Sequence, residues 1–583
     1  AAYGDFDNDG DLDIIVNNIR DKVFLYENTT DPKNREDHHY LNIRFTGPPG
    51  NPMAIGSRLI AYKKGETLSV SQYPVRGYLS FVSPVLSLGL GKIQHLDSLV
   101  LIWPDETYQL IPLDSVDHTI TLQYKEGLPS LTLHAVTPPP LPYHDITDAS
   151  GIHYIHKEND FVEFDRERLI PHMTSTEGPA LAVGDINHDG LEDFFVGSSK
   201  RKKSAVYRQT PQGKFIDVTS NAILNDSVFE DVDAVFTDIE NDGDLDLVVA
   251  SGGNEYTGTS LPLTQRVYLN DGKGNFTSDT IAIPKIYLTA GCVAAADYNS
   301  DGYTDLFFGG RAVPWNYGIH PRSYLLLNDG HGRFSDITSS SAPALSEAGM
   351  VKDAVWQDMN HDGLVDLILA VEWGPLQIFY QQKDHNFKPN AIPASSGWWN
   401  FIQPIDYDKD GDIDFVAGNL GLNSKLKASA EHPVRLYIND FDDNGQIEQI
   451  MTYYIGQQEI VFPTFREVMQ QMPSLKKRFL YAKDFAKADL PQLVGKENLK
   501  SATVRTVTDF ENAYFENVDN TGTFIQHAMP ASLQFAPLRA AAVLDQNGDG
   551  YPDLLLGGNF YENNIEIGRY DADYGSLWLN GAS

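Results

Sequence analysis

A nine-residue loop, D-x-[D/N/E]-x-[D/N]-G-x-x-[D/E], recurs eight times in this chain and leaves few folds open. The copies begin at Asp5, Asp185, Asp238, Asp297, Asp358, Asp406, Asp440 and Asp545. From Asp185 to Asp406 they follow one another at 48–61 residues. A repeat of that period marks one supersecondary unit used again and again, since such a unit buries its apolar face only against a neighbour of its own kind.

The residue types inside the loop point to a hard cation. Oxygens at positions one, three and five converge in a tight turn, Gly at six permits the turn, and a carboxylate at nine closes the shell. The four positions read Asp5, Asp7, Asp9 and Asp13 in the first copy; Asp185, Asn187, Asp189 and Asp193 in the second; Asp238, Glu240, Asp242 and Asp246 in the third. They continue as Asp297, Asn299, Asp301 and Asp305; Asp358, Asn360, Asp362 and Asp366; Asp406, Asp408, Asp410 and Asp414. The last two copies read Asp440, Asp442, Asn444 and Glu448, then Asp545, Asn547, Asp549 and Asp553. All-oxygen donors in this number suit Ca2+ better than Mg2+ or zinc. Up to eight structural Ca2+ ions are expected. An EF-hand opens in the same way but needs Glu at position twelve and helices on both sides. Position twelve here is Val16, Val196, Val249, Phe308, Leu369, Ala417, Met451 and Leu556, apolar every time.

Charge fits this reading. The 583 residues carry 80 acids against 44 Lys and Arg, a formal net charge of −36, and the eight loops hold 32 of those acids. Such a balance disfavours nucleic acid and anionic membranes as partners. With one cysteine, Cys292, no intrachain disulfide is possible. No apolar run approaches the length of a membrane span.

The flanks of the loop are β-type, as in Ile14-Ile15-Val16 and Leu306-Phe307-Phe308. A third strand ends in a turn of the form Tyr268-Leu269-Asn270-Asp271-Gly272-Lys273-Gly274-Asn275-Phe276, and a fourth strand follows. Four short strands per unit fit a propeller blade. Loop and turn together resemble the FG-GAP/VCBS repeats of integrin-like propellers. The resemblance implies calcium in the loop between the first two strands of each blade. The chain then reads as an all-β protein whose residues 143–583 form an FG-GAP/VCBS propeller of about seven blades, with Asp440 either founding the seventh or replacing the outer turn of the Asp406 blade. Residues 1–40 read as the terminal blade of a preceding propeller. Tyr143-His144-Asp145-Ile146-Thr147 matches a fourth strand, and pairing with Trp578-Leu579 would close the ring.

Residues 41–127 break the repeat and alternate as strands of a β-sandwich do, as in Leu41-Asn42-Ile43-Arg44-Phe45. Asn51, Ala54-Ile55-Gly56-Ser57-Arg58, Leu88-Gly89-Leu90-Gly91 and Trp103-Pro104-Asp105 resemble the ASPIC/UnbV domain. Its pairing with FG-GAP repeats resembles bacterial, Bacteroidetes-type relatives of cartilage acidic protein. That resemblance implies a secreted or cell-surface protein associated with the bacterial outer membrane. Residues 128–142 read as a Pro-rich linker, and residues 464–500 as a helical insertion. Lys200-Arg201-Lys202-Lys203 reads as a solvated loop.

In a propeller, successive connections alternate between the two faces, so the loops after the second and fourth strands lie opposite the calcium loops. They hold four of the seven tryptophans. Arg311, Trp315, Glu372, Trp373, Trp398, Trp399, Asn419, Asn423 and Tyr561 are the candidates for a protein- or glycan-binding face. No nucleophile elbow, HExxH or P-loop is present. The expected function is a non-catalytic extracellular calcium-binding scaffold. Two alternatives stand beside it. One is an accessory subunit of an outer-membrane, SusCD-like uptake transporter complex. The other is a glycan hydrolase or lyase on the aromatic face, with Glu372 and Asp571 as its acid–base pair.

Overall fold

The computed structural model describes residues 1–7, 11–19, 21–29, 38–113, 115–131, 143–518 and 520–581. Asp9 of the first loop and most of the expected linker lie outside these residues. The chain divides into two compact units, residues 1–144 and 145–583.

The first unit opens with three antiparallel strands, Ala2–Gly4, Asp13–Val16 and Phe24–Tyr26. A sandwich of two sheets follows. One places His118–Gln123 parallel to His39–Thr46, with Leu86–Gly91 on the other side. The other runs Glu66–Ser71, Arg58–Lys63, Ser98–Ile102, Tyr108–Ile111. Strand alternation sends Leu59, Ala61, Leu99 and Leu101 inward to meet Leu41, Ile43 and Trp103 in one core. Trp103 packs edge-on against Phe45 and Tyr124 at 6.1 and 5.3 Å. Residues 128–131 belong to this unit rather than to a linker: Tyr108 N–H donates to Pro129 and Leu131 N–H to Glu106.

In the second unit six sheets follow the blade plan, each beginning with an antiparallel hairpin around one acidic loop. Their inner strands are Leu181–Gly184, Asp231–Thr237, Thr289–Ala296, Met350–Gln357, Phe401–Ile405 and Ala540–Leu544. The inner strands of blades two to five touch in sequence, and close approach there requires a missing side chain. A Cβ on Gly291 of blade three would lie 2.2 Å from the Val351 carbonyl oxygen of blade four.

The seventh sheet is not a radial blade. Its strands, Val434–Asn439, Glu448–Ile455, Gln458–Val461 and Thr503–Val507, come in the chain between the second and third strands of blade five, Asp414–Gly418 and Ala513–Asn517, which pair directly with each other. The Asp440 loop therefore turns the hairpin of an inserted sheet, and the expectation of about seven blades gives way to six plus an insertion. The short spacing of 34 residues from Asp406 to Asp440 is the sequence mark of that insertion. The expected ring-closing strand is also absent among the described residues: Thr147–Ser150 is a helical turn, and the sheet containing Ser576–Trp578 has three strands.

The helical insertion forms as expected. Thr464 and Glu467 make a reciprocal capping box at the start of Phe465–Gln471, and Pro473 starts a 3-10 turn after it. Val468, Met469, Met472, Leu475 and Leu493 pack onto Phe441 and Ile450 of the inserted sheet.

Candidate metal centres and the covered face

Each loop is shaped by its own carboxylates before any cation is considered. Asp185 accepts from Asp189 N–H at 3.1 Å and Gly190 N–H at 2.8 Å, and Asp358, Asp297 and Asp440 do the same for their loops. These bonds curl the loop so that positions one, three and five face one another.

The ninth position does something the sequence reading did not foresee. Its carboxylate is buried and holds backbone. Asp246 accepts from Ile239 N–H at 3.1 Å and Asn270 N–H at 2.9 Å, tying the loop to the end of the third strand. Asp13, Asp193, Asp366, Asp414 and Asp553 repeat this two-point clasp. Burial, with the like-charged acids of each loop, pushes Asp246, Asp305, Asp366 and Glu448 up to about 7. A carboxylate so disfavoured as an anion is one that a neighbouring cation would relieve.

The residue that ends each third strand supplies a second tie. Asn270 Nδ2 donates to the Ile186 carbonyl of the preceding blade's loop at 2.8 Å. Asn328 reaches Ile239, Gln381 reaches Tyr298, Asn517 reaches Met359 and Asn580 reaches Tyr407. Five junctions thus carry the same amide latch at the loop end.

The loops fit a cation to different degrees. Carboxylate oxygens of Asp406, Asp408 and Asp410 lie within 4.8 Å of one another, as do those of Asp440, Asp442 and Glu448. Asp406 Oδ1, Asp442 Oδ1 and Glu448 Oε1 are buried and accept no hydrogen bond. Asp5 Oδ1 and the seventh-position Asp244 Oδ1 and Asp412 Oδ1 are orphaned in the same way. Burial and the neighbouring acids push Asp244 and Asp412 up to about 6. The seventh-position side chains were not among the expected ligands; their extra acidity was the available signal. Where position three is Asn, its amide nitrogen donates to the position-five carboxylate, as Asn187 does to Asp189 at 3.0 Å and Asn547 to Asp549 at 2.9 Å. A half-turn of that amide would present its oxygen instead.

The opposite face is largely covered. The inserted sheet lays Val434, Leu436, Ile438, Met451 and Val507 over Tyr317, Trp373 and Trp398. Trp373 and Trp398 are 3% exposed, Trp399 and Arg311 0%, Glu372 1% and Asn419 0%. These six are therefore core, correcting their expected place on a recognition surface. Trp399 packs on Phe515 and donates to Ser395 O at 2.6 Å. Asn419 Oδ1 accepts from Trp398 and Leu420 N–H. Trp315 and Tyr561 stay exposed, each with an arginine over its ring, Arg166 at 4.7 Å and Arg569 at 4.4 Å. Asn423 is exposed as well.

Beneath the cover lies an ion cluster. Arg311 makes a fork to Glu177, Nε–Oε2 2.5 Å and Nη2–Oε1 2.8 Å, and Nη2 lies 2.7 Å from Glu372 Oε2. His172 Nε2 meets Glu372 Oε1, and Lys352 Nζ lies 3.3 Å from Glu177. Burial alone would raise Glu177, but Arg311 and Lys352 outweigh it and hold it at about 2. Burial pushes Lys352 down to about 8 despite Glu177. Glu372 is thus a network member, while Asp571 is exposed beside Arg569. Lys200, expected in solvent, is buried and bonded to Glu255 at 2.6 Å.

With blades and loops in place, comparison with known families decides the matter. The ASPIC and UnbV family matches residues 47–129, and the FG-GAP-like repeat matches 185–249, 238–308 and 358–417. The chain carries an ASPIC/UnbV domain and FG-GAP-like repeats. The FG-GAP segments fall on blades one to five, and the ASPIC/UnbV segment on the sandwich. No curated protein matches the chain. Among solved structures, the V. cholerae biofilm matrix protein Bap1 is similar at 9% identity, over 70% of this chain and 80% of that one, with a TM-score of 0.28. A putative exo-β-1,3-galactanase from Bifidobacterium bifidum s17 is similar at 11%, over 51% and 96%, with 0.25. The Dos1 propeller is similar at 12%, over 67% and 94%, with 0.26. Among the described residues no helix is long and apolar enough to cross a membrane.

Proposed function

We propose that this FG-GAP protein is a non-catalytic, extracellular or cell-surface binding scaffold whose blades are set by calcium. The observation that carries the reading is the set of buried carboxylate oxygens without hydrogen-bond donors, gathered at loops of one design. Asp406, Asp408 and Asp410, and Asp440, Asp442 and Glu448, would hold the ion first, because their oxygens already converge. Bound Ca2+ would supply opposite charge to acids that otherwise repel one another. The free millimolar calcium outside cells suits sites of this kind. FG-GAP repeats, typical of extracellular and surface proteins, support that location.

The partner would be a protein or glycan met at exposed aromatic platforms. Trp315 and Tyr561 are the residues left to do this once the buried tryptophans are set aside. Elemental analysis and calorimetric Ca2+ titration of the whole chain test the metal. A glycan and peptide array, read for binding and then for products, tests the class. Binding that Trp315→Ala or Tyr561→Ala weakens, without cleavage, supports the scaffold; released products overturn it.

A further inference from the structure

Beside the ion cluster, His172, Lys352, Glu372, Trp398, Arg539 and Phe560 help to wall a cavity of about 10 Å3, room for about one water-sized particle. Its polar lining is dominated by donors. Trp398 is 3% exposed, yet its Nε1–H has no acceptor. Arg539 lies over the Phe560 ring at 5.0 Å and pairs with no carboxylate among the described residues. The carboxylates that influence it, Glu177 and Glu372, face Arg311, Lys352 and His172, although Glu372 Oε2, 2.7 Å from Arg311 Nη2, accepts no hydrogen bond. Lys352 spends one contact on Glu177 and one on Asn400 Oδ1 at 3.2 Å, leaving a third N–H free for another acceptor. Behind Glu372, Arg311 Nη1 is buried without an acceptor too.

Charge agrees with this inventory. Lys352, Arg311 and Arg539 face two carboxylates, so the cluster carries at least one positive charge in excess before His172 is counted. Arg539 is half-buried, so water offsets part of that charge, and a counter-ion at hand offsets more. Water would satisfy the donors but offset the charge only in part.

We propose that this cavity is a binding site for a single small monovalent anion, held by Arg539, Lys352 and the Trp398 indole N–H. Its size limits the occupant to a free halide or, at most, the smallest carboxylate, formate. The site is separate from the calcium loops, so either can fail without the other.

The test is a bromide soak of crystals of the full chain, with data collected at the bromine edge. One anomalous peak is expected between Lys352, Trp398 and Arg539. A parallel melting series holds ionic strength constant with sodium gluconate, an anion too bulky to enter, and titrates in bromide or formate. A saturating rise in Tm with bromide alone assigns the halide; a rise with formate as well admits an anion of formate's size. The rise should vanish in Arg539→Gln and persist, weakened, in Arg539→Lys. A cavity that refines as water with no anomalous signal, together with a melt indifferent to both anions, overturns the proposal.

Discussion

Asn328 at the end of a third strand donates through Nδ2 to the Ile239 carbonyl of the preceding blade's loop at 2.8 Å, and to Thr304 O at 3.0 Å. Its own N–H is held by Asp305 at 2.8 Å. One residue thus joins strand, loop and neighbouring blade, and the same part is played by Asn270, Gln381, Asn517 and Asn580. Truncating the amide leaves two carbonyls without that donor inside the protein. Asn328→Ala is expected to cost about 1–3 kcal/mol, read as a lower Tm. Asn328→Gln should recover little, since the longer side chain displaces the amide.

The clasp and the cation cage separate by substitution. In excess chelator, Asp242→Asn at position five should be neutral or slightly stabilising, because it removes a repelling charge. Asp246→Ala at position nine orphans Ile239 N–H and Asn270 N–H, so it should cost at least about 2 kcal/mol in chelator and in calcium alike. Thermal melts of both variants in each buffer measure the difference. Equal behaviour of the two positions would remove the distinction.

Chelation itself should lower the melting temperature of the wild-type chain, and millimolar Ca2+ should raise it in proportion to the logarithm of its concentration. Asp406→Asn with Asp440→Asn should blunt that response more than the same change at Asp185 and Asp545, whose loops are already bridged by amides.

Lys352 gives stability a slope in alkali. Burial, partly offset by Glu177 and Glu372 and aided by Arg311 and Arg539, brings it from 10.5 to about 8. Between those values the unfolded chain holds a proton that the folded chain has released, so stability rises with pH across the window and levels off above it. The gain is bounded at about 3 kcal/mol. Relative to wild type, Lys352→Met should lose this rise when both are measured in gluconate. A pH-independent difference between the two would contradict the assignment.

Gly291 tests the seam between blades three and four. A methyl group placed 2.2 Å from the Val351 carbonyl oxygen must push the inner strands apart. Gly291→Ala is expected to cost about 1–3 kcal/mol or more, visible as a lower Tm.

Much of this was legible in the residues alone. Loop spacing and flanking apolar runs marked the hairpins, alternation marked the sandwich around Leu99 and Leu101, and the helical spacing of Phe465, Val468, Met469 and Met472 marked the insertion. The rest depends on contacts distant in sequence. Asn270 reads as an ordinary turn residue until the preceding blade's carbonyl is placed beside it. Trp373 and Trp398 read as surface aromatics because no local pattern shows that residues near 434–451 fold over them. Glu177 and His172 sit in a stretch without periodicity, and their partners are more than 130 residues away. Asp440 carried the same motif as a blade loop, so local chemistry could not separate a blade from an insertion.

The interruption of blade five also sets an order of events. Its inner two strands emerge from the ribosome well before the outer two, with residues 419–512 between them. Blades one to four draw on contiguous stretches and can close as they are made. The fifth must wait with an unfilled edge until the whole excursion has been synthesised and packed, and closing so distant a contact is slow. A translation pause or a folding defect within the inserted sheet would therefore leave an open strand edge in the middle of the ring, where capture by a chaperone or by another nascent chain competes with completion.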